Sequence, residues 1–298
     1  MANYNFVYMG DTWIAKSDNC DVINYTGEFV FNDALVQAKK YDPRFVLHGG
    51  DAAFAGNRPS LLRFKNEKVK KAFPSTRFYV SPGNHDALFT TANGKRRISF
   101  NNFKQIINPL NFVITAPDLK IVALNSVQIV RDAQGNDNTV YGLTQNQLNH
   151  LNRELANSTA RFKLVCTHVP PDDWAKTAQM NAIKQRFLQI LQKRHVSMVL
   201  LSHQHKFQDF TRNGIRYIVS GGAGAALDRN YTNEIVLLTV RGTQLNAQKI
   251  NIEWLDNSLF ASSTATRTAH RSVASVRRLR VAKARRLRAS TNRGKVRV

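Results

Sequence analysis

FYVSPGNHD, residues 78–86, is an apolar run that stops at a Pro-Gly turn and then presents three side chains able to bind a metal or move a proton. Four other apolar stretches stop the same way. FVYMG ends in Asp11, FVLHGG in Asp51, KLVCT in His168, and MVLLS in His203 and His205. Each run is short, β-branched or aromatic, and followed by turn residues, which predicts buried strands. In open α/β sheets, ligands bind in the crevice beyond the carboxyl ends of the strands, so five such endings converge on one place. A lone Asp or His at a strand end is usually an ordinary loop residue. An HxH pair is weak on its own, since period two puts both rings on one face of any strand. The weight lies in five endings in order.

The residue set has a chemical logic. Asp11, Asp51, Asn84, His168, His203 and His205 offer two carboxylates, one amide oxygen and three imidazoles. A mixed oxygen and nitrogen field suits Mn, Fe, Zn or Co better than calcium, which prefers oxygen alone. Six ligands exceed one tetrahedral shell and match two divalent ions roughly 3.5–4 Å apart, a common clamp for phosphoryl chemistry.

Working outward, strands are predicted at 5–10, 44–49, 76–81, 119–124, 162–167, 197–202, 215–220, 233–240 and 248–254. Helices are predicted at 28–41, 60–73, 144–157 and 178–193. In the third helix Thr144 and Gln147 have capping-box spacing, and Leu148, Leu151 and Leu155 share one face. The early β-α-β order predicts an α/β chain with a parallel, helix-covered sheet. The closely spaced strands after 197 add hairpins, an α+β ending. The periodic pattern stops near 258, which divides the chain into residues 1–258 and a low-complexity tail, 259–298.

The formal charge is +23, from 43 basic and 20 acidic residues. Residues 261–298 carry 12 of the basic residues and no acid. That tail predicts a disordered polycation, binding nucleic acid or another anionic surface through Arg277, Arg278, Arg280, Lys283, Arg285, Arg286 and Arg288. Cys20 and Cys166 are too few for a disulfide framework or a cysteine-based zinc site. No apolar run reaches the roughly 20 residues of a membrane span. The N-terminus has no signal-peptide pattern, so an intracellular, cytoplasmic location is expected.

With these residues assembled, the chain resembles the calcineurin-like metallophosphoesterase superfamily, and within it the purple acid phosphatase type. The blocks that carry the likeness are MGDTW, GGDAAF, GNHD, CTHVPP and SHQH, over about residues 4–255. The resemblance implies a four-layer αββα sandwich. It implies that Asp51 bridges two ions, that Asn84, His168 and His203 complete one shell, and that Asp11 and His205 hold the other ion. His85 would contact the phosphate and protonate the leaving oxygen, and Asp86 would orient His85 through a hydrogen bond. The implied reaction is hydrolysis of a phosphate ester by attack of a metal-bound hydroxide, first of all on phosphomonoesters, as in acid phosphatases.

Two positions depart from the family pattern. Trp13 stands where many members have a His ligand, and Phe54 where purple acid phosphatases have a Tyr. The first metal position is left with Asp11, Asp51 and His205, predicting weaker binding there. Without a phenolate ligand, the protein should be colourless. Two other readings follow. One is a phosphodiesterase or nuclease acting on nucleic acid. The other is a non-catalytic scaffold on the same fold.

Overall fold

The apolar runs become the central strands of two facing sheets. The computed structural model describes residues 2–15, 22–91, 93–228 and 230–253, with the backbone alone for 22–26. The first sheet holds β1 (Asn3–Met9), β2 (Phe45–His48), β3 (Arg77–Val80), β14 (Glu234–Arg241) and β15 (Gln244–Asn251), in the spatial order β15-β14-β1-β2-β3. The second holds β6 (Phe112–Ala116), β7 (Leu119–Leu124), β10 (Phe162–Thr167), β11 (Met198–Leu201), β12 (Phe207–Arg212) and β13 (Ile215–Ser220), in the order β12-β13-β11-β10-β7-β6. The centre of each sheet is parallel: β1-β2-β3 in the first and β7-β10-β11-β13 in the second. Antiparallel strands close three of the four edges, β15, β12 and β6, while the edge strand β3 runs parallel to β2.

Period two divides each central strand between two layers. Phe6, Tyr8, Phe45 and Leu47 meet Leu164, Cys166, Leu200 and Ile218 in the core between the sheets. The alternate residues Val7, Met9, Val46, Val165, Val199 and Leu201 are also buried. Strands buried on both faces read as continuous apolar runs rather than alternating ones, which is why the sequence exposes them so plainly. Outside the first sheet, α1 (Val22–Lys39) meets β14 and α3 (Lys70–Ala72). The latter continues α2 (Arg58–Leu62) through a π-helical stretch, Arg63–Val69. A short helix α4 (Asn101–Ile106) packs on α2. Outside the second sheet, α5 (Gln145–Ala156) lies on β7 with α6 (Ala178–Lys193) beside it. The layers run α, β, β, α.

The differences from the sequence reading fall on helices, polar hairpins and edges: α1 begins six residues before the predicted 28, and α4 was not predicted. β4 (Leu88–Thr90) pairs with β5 (Arg96–Ile98), and β8 (Val127–Arg131) with β9 (Asp137–Tyr141), in two small exposed hairpins with little apolar signal. β15 begins four residues earlier than predicted. Gly242, at φ 57°, makes a tight turn that pairs Arg241 with Gln244. Among the described residues no helix is long and apolar enough to cross a membrane. The expected boundary at 258 and the basic residues Arg277 to Arg288 lie outside the described residues.

Thr144 caps α5 as a capping box: its hydroxyl accepts from the Gln147 N–H at 3.3 Å, and the Gln147 side chain accepts from the Thr144 N–H at 2.8 Å. Thr144→Ala should cost about 1 kcal/mol of folding stability, read as a lower urea midpoint. An unchanged midpoint would show that the cap contributes nothing.

Candidate metal centre

The site begins with how the loops after β1 and β2 are tied together. The Asp11 N–H donates to Gly50 O at 2.9 Å, Ile14 N–H to Ala52 O at 3.1 Å and Phe54 N–H to Ile14 O at 3.0 Å. The two strand ends thus continue as one zipped pair. Asp11, Trp13, Asp51 and His203 all take left-handed backbone conformations, with φ of 57°, 51°, 55° and 70°. Such conformations cost of order 1 kcal/mol or more for residues with a Cβ and gather at functional sites. Gly83 has no alternative. A Cβ there would run into the Asp51 carboxylate and its N–H.

His168 shows most clearly what the site lacks a proton to satisfy. Its Nδ1 lies 2.9 Å from Gly49 O. A carbonyl only accepts, so Nδ1 carries the hydrogen and the neutral ring has a bare lone pair at Nε2. Burial holds the His168 pKa below that of an ordinary histidine. That lone pair faces Asn84 Oδ1 at 3.2 Å and Asp51 Oδ1 at 3.5 Å. Three acceptors therefore point at one another. The His203 ring packs edge-on to His168, 5.1 Å between centroids, and burial, then the neighbouring His168, lower its pKa to about 4. The half-buried Tyr141, at the end of β9, also lies edge-on to His203, 5.1 Å between centroids.

A second pair of acceptors repeats the pattern. His205 Nδ1 donates to Ala226 O at 2.9 Å, which turns Nε2 towards Asp11 Oδ1 at 3.6 Å. Asp11 Oδ1 is fully buried with no hydrogen-bond partner, while Oδ2 accepts from the His203 N–H at 3.1 Å. Burial, and then the Asp51 charge, push the Asp11 carboxyl well above the carboxylate range. Asp51 goes the other way. Burial alone would raise it, but His168, His85 and the His85 N–H together hold it below.

The family resemblance implies divalent cations, and these donors fit them. Metals need deprotonated ligands, and burial keeps His168, His203 and His205 neutral. Backbone carbonyls fix the tautomers of His168 and His205, the usual outer-shell arrangement of metal-binding histidines. Asp11, Asp51 and His168 also bring ligand atoms within 4.8 Å of one another. All six residues singled out in the sequence thus come together at the carboxyl ends of the parallel strands.

His85 and Asp86 part company. The predicted hydrogen bond between them is absent. His85 Nδ1 donates instead to Phe54 O at 2.8 Å. The Asp86 carboxylate turns inward and accepts from the N–H groups of Asp51 and Gly83, both at 2.9 Å, and of Ala53 at 3.1 Å. His85 and Asp86 sit in a tight turn, with the Ala87 N–H donating to Asn84 O and the Leu88 N–H to His85 O, both at 3.3 Å, and the turn sends the two side chains apart. Burial and the nearby Asp51 push its pKa up to about 7. Asp86 is thus a brace for the Asp51 loop, and Phe54 holds His85 through its carbonyl. His48 is a second brace. Its Nδ1 accepts from the Gly50 N–H at 3.1 Å and its Nε2 meets Thr12 Oγ1 at 3.2 Å. Trp13 and Tyr141 are the contacts that motif reading missed. Trp13 registers in the sequence only as an absent ligand, and Tyr141 only as the first residue of YGLTQ.

Asp86→Ala should strip three buried N–H groups of their acceptor. At about 1–3 kcal/mol for each unmet buried partner, metal-free protein should lose several kcal/mol in denaturant unfolding. Unchanged stability with lost turnover would instead return Asp86 to a role through His85.

No curated protein sequence is detectably similar to the chain. Solved structures are similar in fold. A purple acid phosphatase from seeds of yellow lupin (Lupinus luteus) is 13% identical with a TM-score of 0.59, over 83% of this chain and 52% of that one. The chain therefore spans about half the length of that phosphatase. GAP50, the anchor in the inner membrane complex of Plasmodium, is 12% identical with a TM-score of 0.55, over 86% and 92%. TT1561 of Thermus thermophilus is 11% identical with a TM-score of 0.51, over 85% and 100%. The family profile for calcineurin-like phosphoesterases matches residues 5–207, which takes in all six metal-ligand candidates and His85. With the fold and the strand-end residues described above, that match over most of the chain makes it a member of the calcineurin-like phosphoesterase family.

Proposed function

We propose that the chain hydrolyses phosphomonoesters at a centre of two divalent cations. Asn84, His168 and His203 would hold one cation, Asp11 and His205 the other, with Asp51 between them. The observation that carries this reading is the set of facing lone pairs: His168 Nε2 against Asn84 Oδ1 and Asp51 Oδ1, and His205 Nε2 against the unpartnered Asp11 Oδ1. The cations supply charge to offset the phosphoryl oxygens and to lower the pKa of water.

The protein's part is placement and proton supply. His85 is tied by Nδ1 to Phe54 O and only partly buried, which leaves Nε2 for the substrate. In the protonated ring Nε2–H can donate to the ester oxygen and pass its proton there as the P–O bond breaks. The Asp51 carboxylate accepts the His85 N–H at 2.9 Å, which ties the loop after β3, with His85, to the loop after β2, with Asp51.

A phosphodiester is the second reading. The β4–β5 hairpin leaves directly from the GNHD loop and carries exposed Lys95, Arg96 and Arg97. Such a cationic edge suits a longer polyanion. The Arg-rich run at 271–288 supports nucleic acid or another polyanion as a partner, with affinity that falls as salt rises.

The test is turnover of a chromogenic phosphomonoester, beside the matching diester, by metal-stripped protein titrated with Mn²⁺, Fe²⁺, Zn²⁺, Co²⁺ and Mg²⁺. Metal-dependent monoester turnover, absent in Asp51→Asn, is expected. Preference for the diester would select the second reading, and no turnover with either despite bound metal would contradict both. Under the same conditions, His85→Ala should lower kcat by about 10²–10⁴-fold without loss of bound metal. Full activity in that variant would remove His85 from the mechanism.

A further inference from the structure

Trp13 sits among the proposed ligands rather than beside them. Its indole Nε1–H donates to Asp51 Oδ2 at 3.4 Å. Its ring lies 4.7 Å from the His85 ring, 4.8 Å edge-on from His205 and 5.3 Å from Phe54. The left-handed backbone at Trp13 and the zipped loops at Ile14 and Phe54 hold it there. The two oxygens of Asp51 are therefore used differently. Oδ1 accepts the backbone N–H of His85 at 2.9 Å, a donor fixed by the loop, and turns its other lone pair towards His168 Nε2, 3.5 Å away. Oδ2, the oxygen left for the partner position with Asp11 and His205, accepts instead from a side chain whose ring lies against His205, on the side of that position. A carboxylate oxygen cannot present the same lone pair to an N–H and to a metal ion.

We propose that the Trp13 indole N–H competes with a metal ion for Asp51 Oδ2, so that the centre holds one resident cation and one exchangeable cation whose entry displaces the indole. The inference rests on the metal-centre reading above. It goes further than the absence of a ligand at position 13. An absent ligand makes the second position weak passively, whereas a competing N–H makes it weak actively. The position is then strengthened by removing the N–H even when no ligand is put in its place. The resident ion, on the Asn84, His168 and His203 side, is untouched by this competition. The exchangeable ion, by contrast, makes occupancy of the full centre depend on free metal concentration.

The experiment is Zn²⁺ binding by calorimetry to the full chain, with metal counted by elemental analysis after gel filtration. Wild type should retain about one ion per chain and bind a second more weakly. Trp13→Phe keeps an aromatic ring but has no N–H. It should tighten the weak position roughly three- to tenfold, the worth of one hydrogen bond, and leave the strong one unchanged. Trp13→His, which adds a ligand, should retain two ions. Two equal positions in wild type, or a weak position no tighter in Trp13→Phe, would overturn the proposal. Folded wild type that binds no Zn²⁺ would overturn the metal centre itself, and this inference with it. Should the variants fail to fold, wild type answers alone in ¹⁵N-labelled form. The Trp13 indole N–H resonance, distinguished from those of Trp174 and Trp254 by substituting each of these with Phe, should move in the second equivalent of Zn²⁺. Movement in the first equivalent, or none in either, would overturn the proposal.

Discussion

An imidazole lone pair facing two oxygen lone pairs, with no proton to place between them, is the constraint around which this molecule is arranged. His168 Nε2, Asn84 Oδ1 and Asp51 Oδ1 would repel in a buried setting, where dielectric screening is weak. Burial makes protonating the ring unfavourable, and the Gly49 carbonyl prevents a tautomer switch. A cation is the species that turns the arrangement from costly to favourable. The unpartnered oxygen of Asp11 against His205 repeats the logic on the other side of Asp51.

Holding such a set together takes rigid support, and the fold supplies it in layers. The parallel strands of two different sheets end at one rim, so β1 and β2 deliver Asp11 and Asp51 while β10 and β11 deliver His168 and His203. Beneath them lie side chains with no part in the chemistry. Asp86 gathers three N–H groups of the loops after β2 and β3, and His48 ties the same loop to Thr12. These braces hold Asp51 and its neighbours in left-handed conformations that a free chain would leave. The stability given up at the rim is offset in the core between the sheets, where Tyr8, Phe6 and Leu47 are fully buried.

The central strands and the polar residues that gather at their ends were legible because both leave local signals. A strand buried on two faces is an unbroken apolar run, and an Asp or His at its end is a polar residue in an unusual place. The capping box at Thr144 and Gln147 is local too, and it appears where the spacing puts it. The edge hairpins β4–β5 and β8–β9 were not legible, since solvated strands carry little apolar pattern. Nor was the direction of a side chain. Asp86 follows His85 by one residue, which suggested a pair, yet loop geometry sends the two apart and gives His85 the carbonyl of Phe54. Trp13 was legible as a missing ligand but not as a hydrogen-bond donor to Asp51, because that contact depends on two loops 38 residues apart being zipped together.

Anomalous diffraction from crystals of the full chain grown with limiting Mn²⁺ tests the central claim most directly. The account predicts one strong peak enclosed by Asp51, Asn84, His168 and His203, each with an oxygen or nitrogen in coordination range. Density for Mn²⁺ elsewhere on the molecule with that position empty, or no ordered Mn²⁺ at all in saturated crystals, would contradict it.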